Sequence, residues 1–333
     1  MIQTPFSLDP VYYHGRRASI AAIPRPPVLA RDPQISSIIS LIGQTPLIEI
    51  GAGRALSPAV SLHLKLEGLN PGGSVKDRVA LSIVREALRA GALTSSKTLL
   101  DATSGNTGIA YAMLGAALGF PVRLMLPSNV SPERVQILRA YGARLTLTDP
   151  DAGTEKARRL ARELAAAEPD RYFYADQYNN VANPLAHYVA TGPELWQQTE
   201  GRITHFVAGL GTGGTMMGVG RYLRERSPDV KLVGVQPDSA QHSIEGLKHL
   251  PTATIPGIYD PGLVDQIVEV STEAAQMMAS HLARQEGLFV GISAGAAVSA
   301  ALQMARELER GVIVALLPDG GFKYTSASFW SAS

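Results

Sequence analysis

The 333-residue sequence contains no cysteine, which excludes disulfide bonds, thiolate metal ligands and a catalytic thiol. Its seven histidines are scattered, and no two of them have the H-E-x-x-H or H-x-x-E-H spacing of a helical zinc site, so we expect no metal. The formal net charge is only +1, so we expect neither a nucleic acid nor a membrane surface as a partner. These absences leave small molecules as the expected ligands.

The chain also lacks a long apolar run. Its longest nearly apolar stretch, IAYAMLGAALGFPV (109–122), contains two glycines and a proline and is too short to span a bilayer. With 45% hydrophobic and 18% charged residues, the composition is typical of a globular protein, and the length suits two domains. We therefore expect a cytoplasmic protein.

The first 34 residues differ in composition from the rest, because they are rich in proline and arginine. No apolar segment follows the arginines, so they do not form a secretory signal. We interpret residues 1–34 as a flexible N-terminal arm, with a transit peptide and a misassigned start codon as alternatives.

Beyond the arm, short strands rich in valine and leucine alternate with amphipathic helices. The segment SLHLKLE (61–67) has the alternation of a strand with one buried face, and Ser74 opens a predicted helix that runs through Leu88. Ser74 and Asp77 resemble a capping box at its start. The alternation continues through GLFVGIS (287–293) to GVIVALLP (311–318) and predicts parallel sheets covered by helices.

Three loops rich in Gly, Ser and Thr lie where predicted strands lead into predicted helices. They are TSGNTG (103–108), GLGTGGT (209–215) and GISAGAA (291–297). Ligands of α/β folds bind at the carboxyl ends of strands, and the start of a helix offers unpaired N–H groups to an anion. Tight turns would explain one such loop, but three loops with hydroxyl groups favour ligand binding.

The loop GLGTGG (209–214) also fits the dinucleotide pattern G-x-G-x-x-G, and Asp238 follows the next strand, near the expected place of a ribose-binding acid. An NAD-binding oxidoreductase is therefore one alternative. It leaves Lys76 and the other two loops without a role.

Lys76 lies in the segment NPGGSVKDR (70–78), just inside the start of a predicted helix. Most lysines are solvated surface residues, and the alternative is a nucleophilic amine. The helix dipole disfavours an ammonium group here, which helps to supply the neutral amine that a Schiff base requires. One such lysine, a phosphate-binding loop and a second anion site suit pyridoxal phosphate chemistry on an amino-acid substrate.

Five motifs in order make the chain similar to a known family: IGQTPL (42–47), KLEGLNPGGSVKDR (65–78), TSGNTG, THFVAGLGTGGT (204–215) and GISAGA (291–296). Together they resemble the cysteine synthase (O-acetylserine sulfhydrylase) and cystathionine β-synthase family of fold-type II pyridoxal phosphate enzymes. The resemblance covers residues from about 39 to about 326, and HYVATGPELWQQTEGRITHF (187–206) looks most like the B-type cysteine synthases.

The resemblance implies a two-domain α/β fold like that of the tryptophan synthase β subunit, with mostly parallel sheets covered by helices. We expect an N-terminal domain at 35–190 with the catalytic lysine and the loop for the substrate carboxylate. The C-terminal domain, at 191–326, would hold the phosphate loop, and a segment near 45–68 would pack with it. The family also implies a homodimer.

The resemblance further implies a role for individual residues. Lys76 would bind pyridoxal 5'-phosphate as a Schiff base and act as the base at the substrate's Cα, Asn106 would bond the ring hydroxyl of the cofactor, and Ser293 would face its pyridine nitrogen. The residues implied at the substrate carboxylate are Thr103, Ser104, Thr107 and Gln177. Those implied at the cofactor phosphate are Gly211, Thr212, Gly213, Gly214 and Thr215. For Ser293, Ser104 and Thr107, helix capping is the plain alternative.

The implied reaction makes L-cysteine from an activated serine, O-acetylserine or O-phosphoserine, and sulfide or another sulfur donor, through an α-aminoacrylate. The alternatives are a cystathionine β-synthase-like condensation of serine with homocysteine and a dehydratase. B-type relatives carry arginine near Lys248 and His249, and a cation there would attract thiosulfate or the phosphate of O-phosphoserine. A solvated charge pair explains Lys248 equally well, and Asp319 matches the B-type pattern without a mechanistic role.

Overall fold

The structure is a computed structural model that describes residues 38–50, 57–103, 105–149 and 153–331. The N-terminal arm predicted at 1–34 and the predicted carboxylate ligand Ser104 therefore lie outside the described residues. Within the described ranges, no helix has both the length and the apolar character needed to cross a membrane.

The described part of the chain contains ten strands and nine α-helices. The strands are β1 (Leu47–Glu49), β2 (Val60–Leu66), β3 (Thr98–Ala102), β4 (Val122–Pro127), β5 (Arg144–Thr148), β6 (Tyr172–Tyr174), β7 (His205–Gly209), β8 (Lys231–Pro237), β9 (Gln266–Val270) and β10 (Gly311–Leu317). The helices are α1 (Lys76–Arg89), α2 (Asn106–Leu118), α3 (Pro132–Ala140), α4 (Gly153–Ala167), α5 (Ala182–Ala186), α6 (Gly192–Gln198), α7 (Gly214–Arg224), α8 (Thr272–Gln285) and α9 (Ile292–Ala305). A π-helical turn, His187–Thr191, joins α5 to α6.

Two sheets organise these elements. One has six strands in the order β1-β2-β10-β7-β8-β9, and the other has four in the order β5-β4-β3-β6. Neighbouring strands are parallel except for β1 and β2, which confirms the predicted mostly parallel α/β fold. Strand β2 pairs with β10 from Val60 opposite Gly311 to Leu66 opposite Leu317, so this early segment lies among the C-terminal strands. The domain boundaries stay a prediction.

Each sheet has an apolar core against its helices. The predicted stripe of α1 is buried, with Val79, Ile83 and Ala87 at most 1% exposed, and it packs with α2 near the four-stranded sheet. Helix α9 packs with β10 in the core of the six-stranded sheet. Full burial of one large aliphatic side chain contributes about 1.5–3 kcal/mol. The many buried side chains of the two cores therefore stabilise the strands and helices, which position the loops between them.

The predicted capping box at the start of α1 is wrong. The helix begins at Lys76, and the backbone N–H of Lys76 donates to Ser74 Oγ at 3.2 Å. The carboxyl group of Asp77 accepts instead from the backbone N–H of Gly72, at 2.5 Å. The reason is the turn before the helix: Gly73 has φ +80°, a left-handed conformation that glycine adopts without strain, and the turn brings Gly72 to Asp77.

The predicted strand GLFVGIS (287–293) is also wrong. Its residues form only one isolated bridge, between Val290 and Gly320. A ladder with β10 is impossible because β10 already pairs with β2 on one side and β7 on the other. The loop before α9 therefore lies beside the segment that follows β10, where the N–H of Gly321 donates to the carbonyl of Phe289 at 2.9 Å.

Candidate active site

Two of the three loops predicted to bind ligands, those before α2 and α9, meet the turn before α1 around Asp319, two residues beyond the end of β10. Asp319 forms a bridge with Ser74, which precedes α1, and its carbonyl accepts from the N–H of Gly291, which precedes α9. Its side chain accepts from Asn106 Nδ2 at 2.8 Å, at the start of α2. The starts of three helices and the end of one strand thus face a common space.

Lys76 is the first residue of α1 and is half-buried. Loss of solvation lowers the pKa of Lys76 to about 8, and the nearby carboxyl group of Asp319 partly opposes this shift. No described residue accepts a hydrogen bond from its Nζ. Roughly a tenth of this amine is therefore neutral at pH 7, and the neutral amine is the form that reacts.

The loop at the start of α2 joins the residues predicted for the carboxylate. Thr107 Oγ1 donates to Gln177 Oε1 at 2.7 Å, and Thr103 Oγ1 accepts from the N–H of Gly105 at 3.3 Å. All three side chains are buried. Thr107 is the second residue of α2 and makes no capping bond, so the capping interpretation of Thr107 is wrong.

The loop between β7 and α7 has the properties of an anion site. Within the described chain, no residue accepts a hydrogen bond from the backbone N–H of Gly211, Thr212 or Gly213. A Cβ at Gly211 would collide with the carbonyl of Gly246, and Gly213 has φ +82°, so both positions require glycine. Gly214 and Thr215 follow as the first residues of α7, whose dipole favours a negative charge.

Two buried residues, Asn183 and His187, contact the threonine side chains of this loop and of the start of α7. Asn183 Nδ2 donates to the carbonyl of Gln177 at 2.7 Å and to Thr212 Oγ1 at 3.1 Å, so it links the carboxylate and anion loops. His187 Nε2 lies 3.3 Å from Thr215 Oγ1. Burial lowers the pKa of His187 well below its ordinary value, and Lys76 lowers it further, so His187 is a neutral partner.

Ser293 and Lys248 occupy different surroundings. Ser293 is the second residue of α9 and 5% exposed, and its hydroxyl bonds no described residue. Gly291 is the N-cap residue, so the capping interpretation of Ser293 is wrong. The Nζ of Lys248 is 5.1 Å from the ring centroid of Tyr178 and 3.8 Å from Glu155 Oε1, and the backbone N–H of Lys248 donates to the carbonyl of Leu210 at 2.8 Å.

Three buried residues of this region have no role in the sequence-based assignment: Asn183, His187 and Lys323. His187 opens the segment that resembles B-type cysteine synthases, which was a usable signal. Lys323 has no such signal, yet its Nζ donates to Asn106 Oδ1 at 2.7 Å.

Comparisons with known proteins give a consistent result. The family described as "Pyridoxal-phosphate dependent enzyme" matches residues 38–319. A cysteine synthase of Aquifex aeolicus is 51% identical over 301 residues, which cover 89% of this chain and 92% of that protein. Cysteine synthase B of Escherichia coli is 45% identical over 294 residues, covering 88% and 95%. A crystal structure of a cysteine synthase from Entamoeba histolytica superposes with a TM-score of 0.85 at 34% identity, covering 91% and 92%.

Proposed function

The chain belongs to the family of pyridoxal-phosphate dependent enzymes, and we propose that it is a transferase that makes L-cysteine from an activated serine and a sulfur nucleophile. Its relatives named cysteine synthase, at 45% and 51% identity over most of the chain, support this reaction. The cofactor is pyridoxal phosphate. The family match gives no support to the NAD-binding alternative.

The residues present fit this cofactor. The unpaired N–H groups from Gly211 to Gly213 suit its phosphate, and the free hydroxyl of Ser293 suits its ring nitrogen. Lys76 supplies an amine that is partly neutral near pH 8. Pyridoxal phosphate, when bound, withdraws electrons from the Cα of an amino acid, which eases proton removal and departure of the β-substituent.

Each residue then has a proposed task. Lys76 binds the cofactor, removes the proton from the substrate's Cα and returns it after sulfur has added at Cβ. Gln177 and Thr107, already bonded to each other, orient the substrate carboxylate together with Thr103 and Ser104. Asn106 orients the cofactor ring, and Ser293, which is not a carboxylate, keeps that ring a weaker electron sink and so favours β-replacement over transamination.

The observation that carries this proposal is the amine of Lys76, which has a pKa of about 8 and no hydrogen-bond partner in the described chain. Its charge acts on His187, which contacts Thr215 at the proposed phosphate loop. The purified protein should be yellow, and its visible spectrum should change with O-acetylserine or O-phosphoserine and revert on addition of sulfide or thiosulfate. The amount of cysteine formed should be proportional to the amplitude of the spectral change that reverts. A colourless protein that takes up no pyridoxal phosphate would overturn the proposal.

The same assay tests the competing condensation. Homocysteine in place of sulfide should give little cystathionine, because the similar proteins at 45% and 51% identity are named cysteine synthases. Turnover of serine with homocysteine that exceeds cysteine formation would favour the cystathionine β-synthase-like alternative.

We also propose that Lys248 selects the donor. Its Nζ lies 3.8 Å from Glu155 Oε1 and 5.1 Å from the ring centroid of Tyr178, which follows Gln177 in the chain, and its backbone N–H donates to the carbonyl of Leu210 at 2.8 Å. We expect Lys248→Met to raise KM for O-phosphoserine about threefold to tenfold and to leave KM for O-acetylserine nearly unchanged, because only the former carries a phosphate dianion. Lys231→Met, at an exposed lysine, is the control. Equal changes for both donors would refute this role.

The oligomeric state and cellular location are proposals as well. We propose a cytoplasmic homodimer, because the resemblance to fold-type II enzymes implies one. Light scattering of the purified protein should give twice the chain mass of 35.3 kDa, and a monomer mass would contradict the proposal.

A further inference from the structure

The side-chain amide of Asn106 is held at both ends by the segment that follows β10. Its Oδ1 accepts from Lys323 Nζ at 2.7 Å, and its Nδ2 donates to Asp319 Oδ2 at 2.8 Å. Asn106 is the residue expected to contact the cofactor ring, whereas neither Lys323 nor Asp319 has an assigned task. Lys323 and Asp319 therefore contact a residue that is expected to bind the cofactor.

These two partners permit only one orientation of the amide. The side chain of a protonated lysine only donates hydrogen bonds, and an ionised carboxylate only accepts them. Rotation of the Asn106 amide by half a turn would set its NH₂ group against the Lys323 amine and its oxygen against Asp319. The second N–H of Nδ2 has no acceptor in the described chain and remains available to a ligand.

Both partners are themselves fixed. Lys323 is 7% exposed, and its Nζ also donates to the carbonyl of Gly73 at 2.9 Å. A Cβ at Gly73 would lie 3.1 Å from that Nζ, so glycine lets the amine approach the turn before Lys76. Asp319 is 1% exposed, and its Oδ2 accepts from the hydroxyl of Tyr324 at 2.6 Å. Rotation of either side chain would break a buried hydrogen bond.

We propose that Lys323 and Asp319 are positioning residues that fix the amide of Asn106 so that its remaining N–H faces the ring hydroxyl oxygen of pyridoxal phosphate. The inference rests on the proposed function, since it takes pyridoxal phosphate as the ligand. Lys323 and Asp319 act through Asn106 and contact no reacting atom. Such support is needed because a ligand-binding group loses affinity when its orientation is left free.

The test is a double-mutant cycle on the affinity of the apoprotein for pyridoxal phosphate. We expect Lys323→Met to raise the Kd about tenfold in the otherwise unchanged protein, because Asn106 Oδ1 loses a charge-assisted hydrogen bond. Asn106→Ala should raise the Kd by at least as much. In the Asn106→Ala background, Lys323→Met should add little, since the residue through which it acts is gone. Lys231→Met, at the surface, should leave the Kd unchanged.

A conservative series separates positioning from folding. Lys323→Arg and Lys323→Gln can still donate to Asn106 Oδ1 and should recover most of the affinity, with thermal unfolding monitored for every variant. Asp319→Asn, which keeps an acceptor, should retain more affinity than Asp319→Ala. If Lys323→Met itself does not fold, Lys323→Ala, which also removes the donor to Asn106 Oδ1, is measured with and without the Asn106→Ala change.

The outcomes are distinct. Equal increases in Kd from a Lys323 change with and without Asn106 would overturn this inference, and so would an unchanged Kd in Lys323→Met. The unsubstituted protein would still bind the cofactor in both cases. Failure of the unsubstituted protein to bind pyridoxal phosphate would instead overturn the proposed function together with this inference.

Discussion

Two buried groups of charges flank the first turn of α1, and they differ in how completely they are paired. The paired cluster consists of Thr45, Lys65, Glu67, Arg78 and Glu194. Lys65 is fully buried, and its Nζ donates three hydrogen bonds, to Thr45 O, Glu194 Oε2 and Gln198 Oε1, at 2.7–2.8 Å. Every donor of this amine is satisfied, as a structural role requires.

The open cluster consists of Lys76, Asp77, Asp319 and Lys323, and it is incompletely paired. Among the described residues, Oδ1 of Asp77 and Oδ1 of Asp319 are buried without a hydrogen-bond partner. Burial raises the pKa of Asp77 to about 7, whereas in the paired cluster Arg78 and Lys65 overcome burial and lower the pKa of Glu194 to about 2. Incomplete pairing beside perturbed pKa values is typical of a reactive site, and complete pairing is typical of a structural one.

The largest expected effect is that of replacing Lys76, the lysine proposed to react with the cofactor. Lys76→Ala should abolish cysteine formation, to less than about one thousandth of the original kcat, because it removes both the cofactor attachment and the base. Lys231→Ala, at an exposed lysine, should retain full activity. Appreciable turnover in Lys76→Ala, measured as cysteine released from O-acetylserine and sulfide, would remove Lys76 from the proposed mechanism.

In the paired cluster, replacing a cation should lower the stability of the fold. Arg78 donates to Glu67 and Glu194 through four hydrogen bonds of 2.6–2.9 Å. Arg78→Met should lower the free energy of unfolding in denaturant by about 3–5 kcal/mol, since it removes the ion-pair partner of the buried Glu67 and leaves Glu194 with Lys65 alone. Arg89→Met on the same helix, where the ion pair with Glu86 is exposed, should change it by less than about 1 kcal/mol. A similar loss in both variants would contradict the comparison.

The two clusters also show what can be predicted from sequence. Roles could be proposed from the sequence for Lys76, Thr107 and the loop between β7 and α7, because each lies in a short motif at the start of a helix, and those roles stay predictions. The contact of Lys323 with Asn106 joins residues 217 positions apart, and no local pattern reports such a contact. The same holds for Asn183, whose amide links two loops.

The two errors in the predicted secondary structure have different causes. A capping box was predicted from Ser74 and Asp77, but the positive φ of Gly73 turns the chain so that Asp77 meets Gly72 instead. The segment 287–293 has the composition of a strand, yet β10 has neighbours on both sides, and pairing capacity is a property of the whole sheet. The first error thus comes from a backbone turn beside the helix, and the second from the tertiary arrangement, which overrode the strand propensity of the segment.

Within the open cluster, Asp77 should make stability depend on pH. The pKa of its carboxyl group is about 7 in the fold and 3.8 ordinarily, so the folded protein holds this proton more tightly than the unfolded chain. That stabilisation is complete below about pH 4 and is lost as the pH rises through about 7. Asp77→Asn cannot ionise and should lack this loss.

The measurement is the free energy of unfolding of both proteins from pH 4 to pH 8. Between pH 4 and pH 8, the free energy of unfolding of the unsubstituted protein should decrease, relative to that of Asp77→Asn, by at least about 1.4 kcal/mol, the equivalent of one pKa unit. The pKa of Asp101 is also raised to about 7, but Asp101 is present in both proteins, so its effect cancels. Parallel curves would mean that Asp77 is not held in its protonated form.

The smallest expected effect concerns the carboxyl group of Asp319, which opposes the lowering of the pKa of Lys76. A nearby carboxylate stabilises the ammonium form, so Asp319→Asn should lower the pKa of Lys76 below about 8. Attachment of pyridoxal phosphate to the apoprotein requires the neutral amine. Its rate, followed by visible absorbance, should therefore reach half its maximum at a lower pH in Asp319→Asn, whereas the exposed control Asp229→Asn should not shift. An unchanged midpoint in Asp319→Asn would show that the two clusters differ in pairing alone, and that the open one does not set the protonation of its lysine.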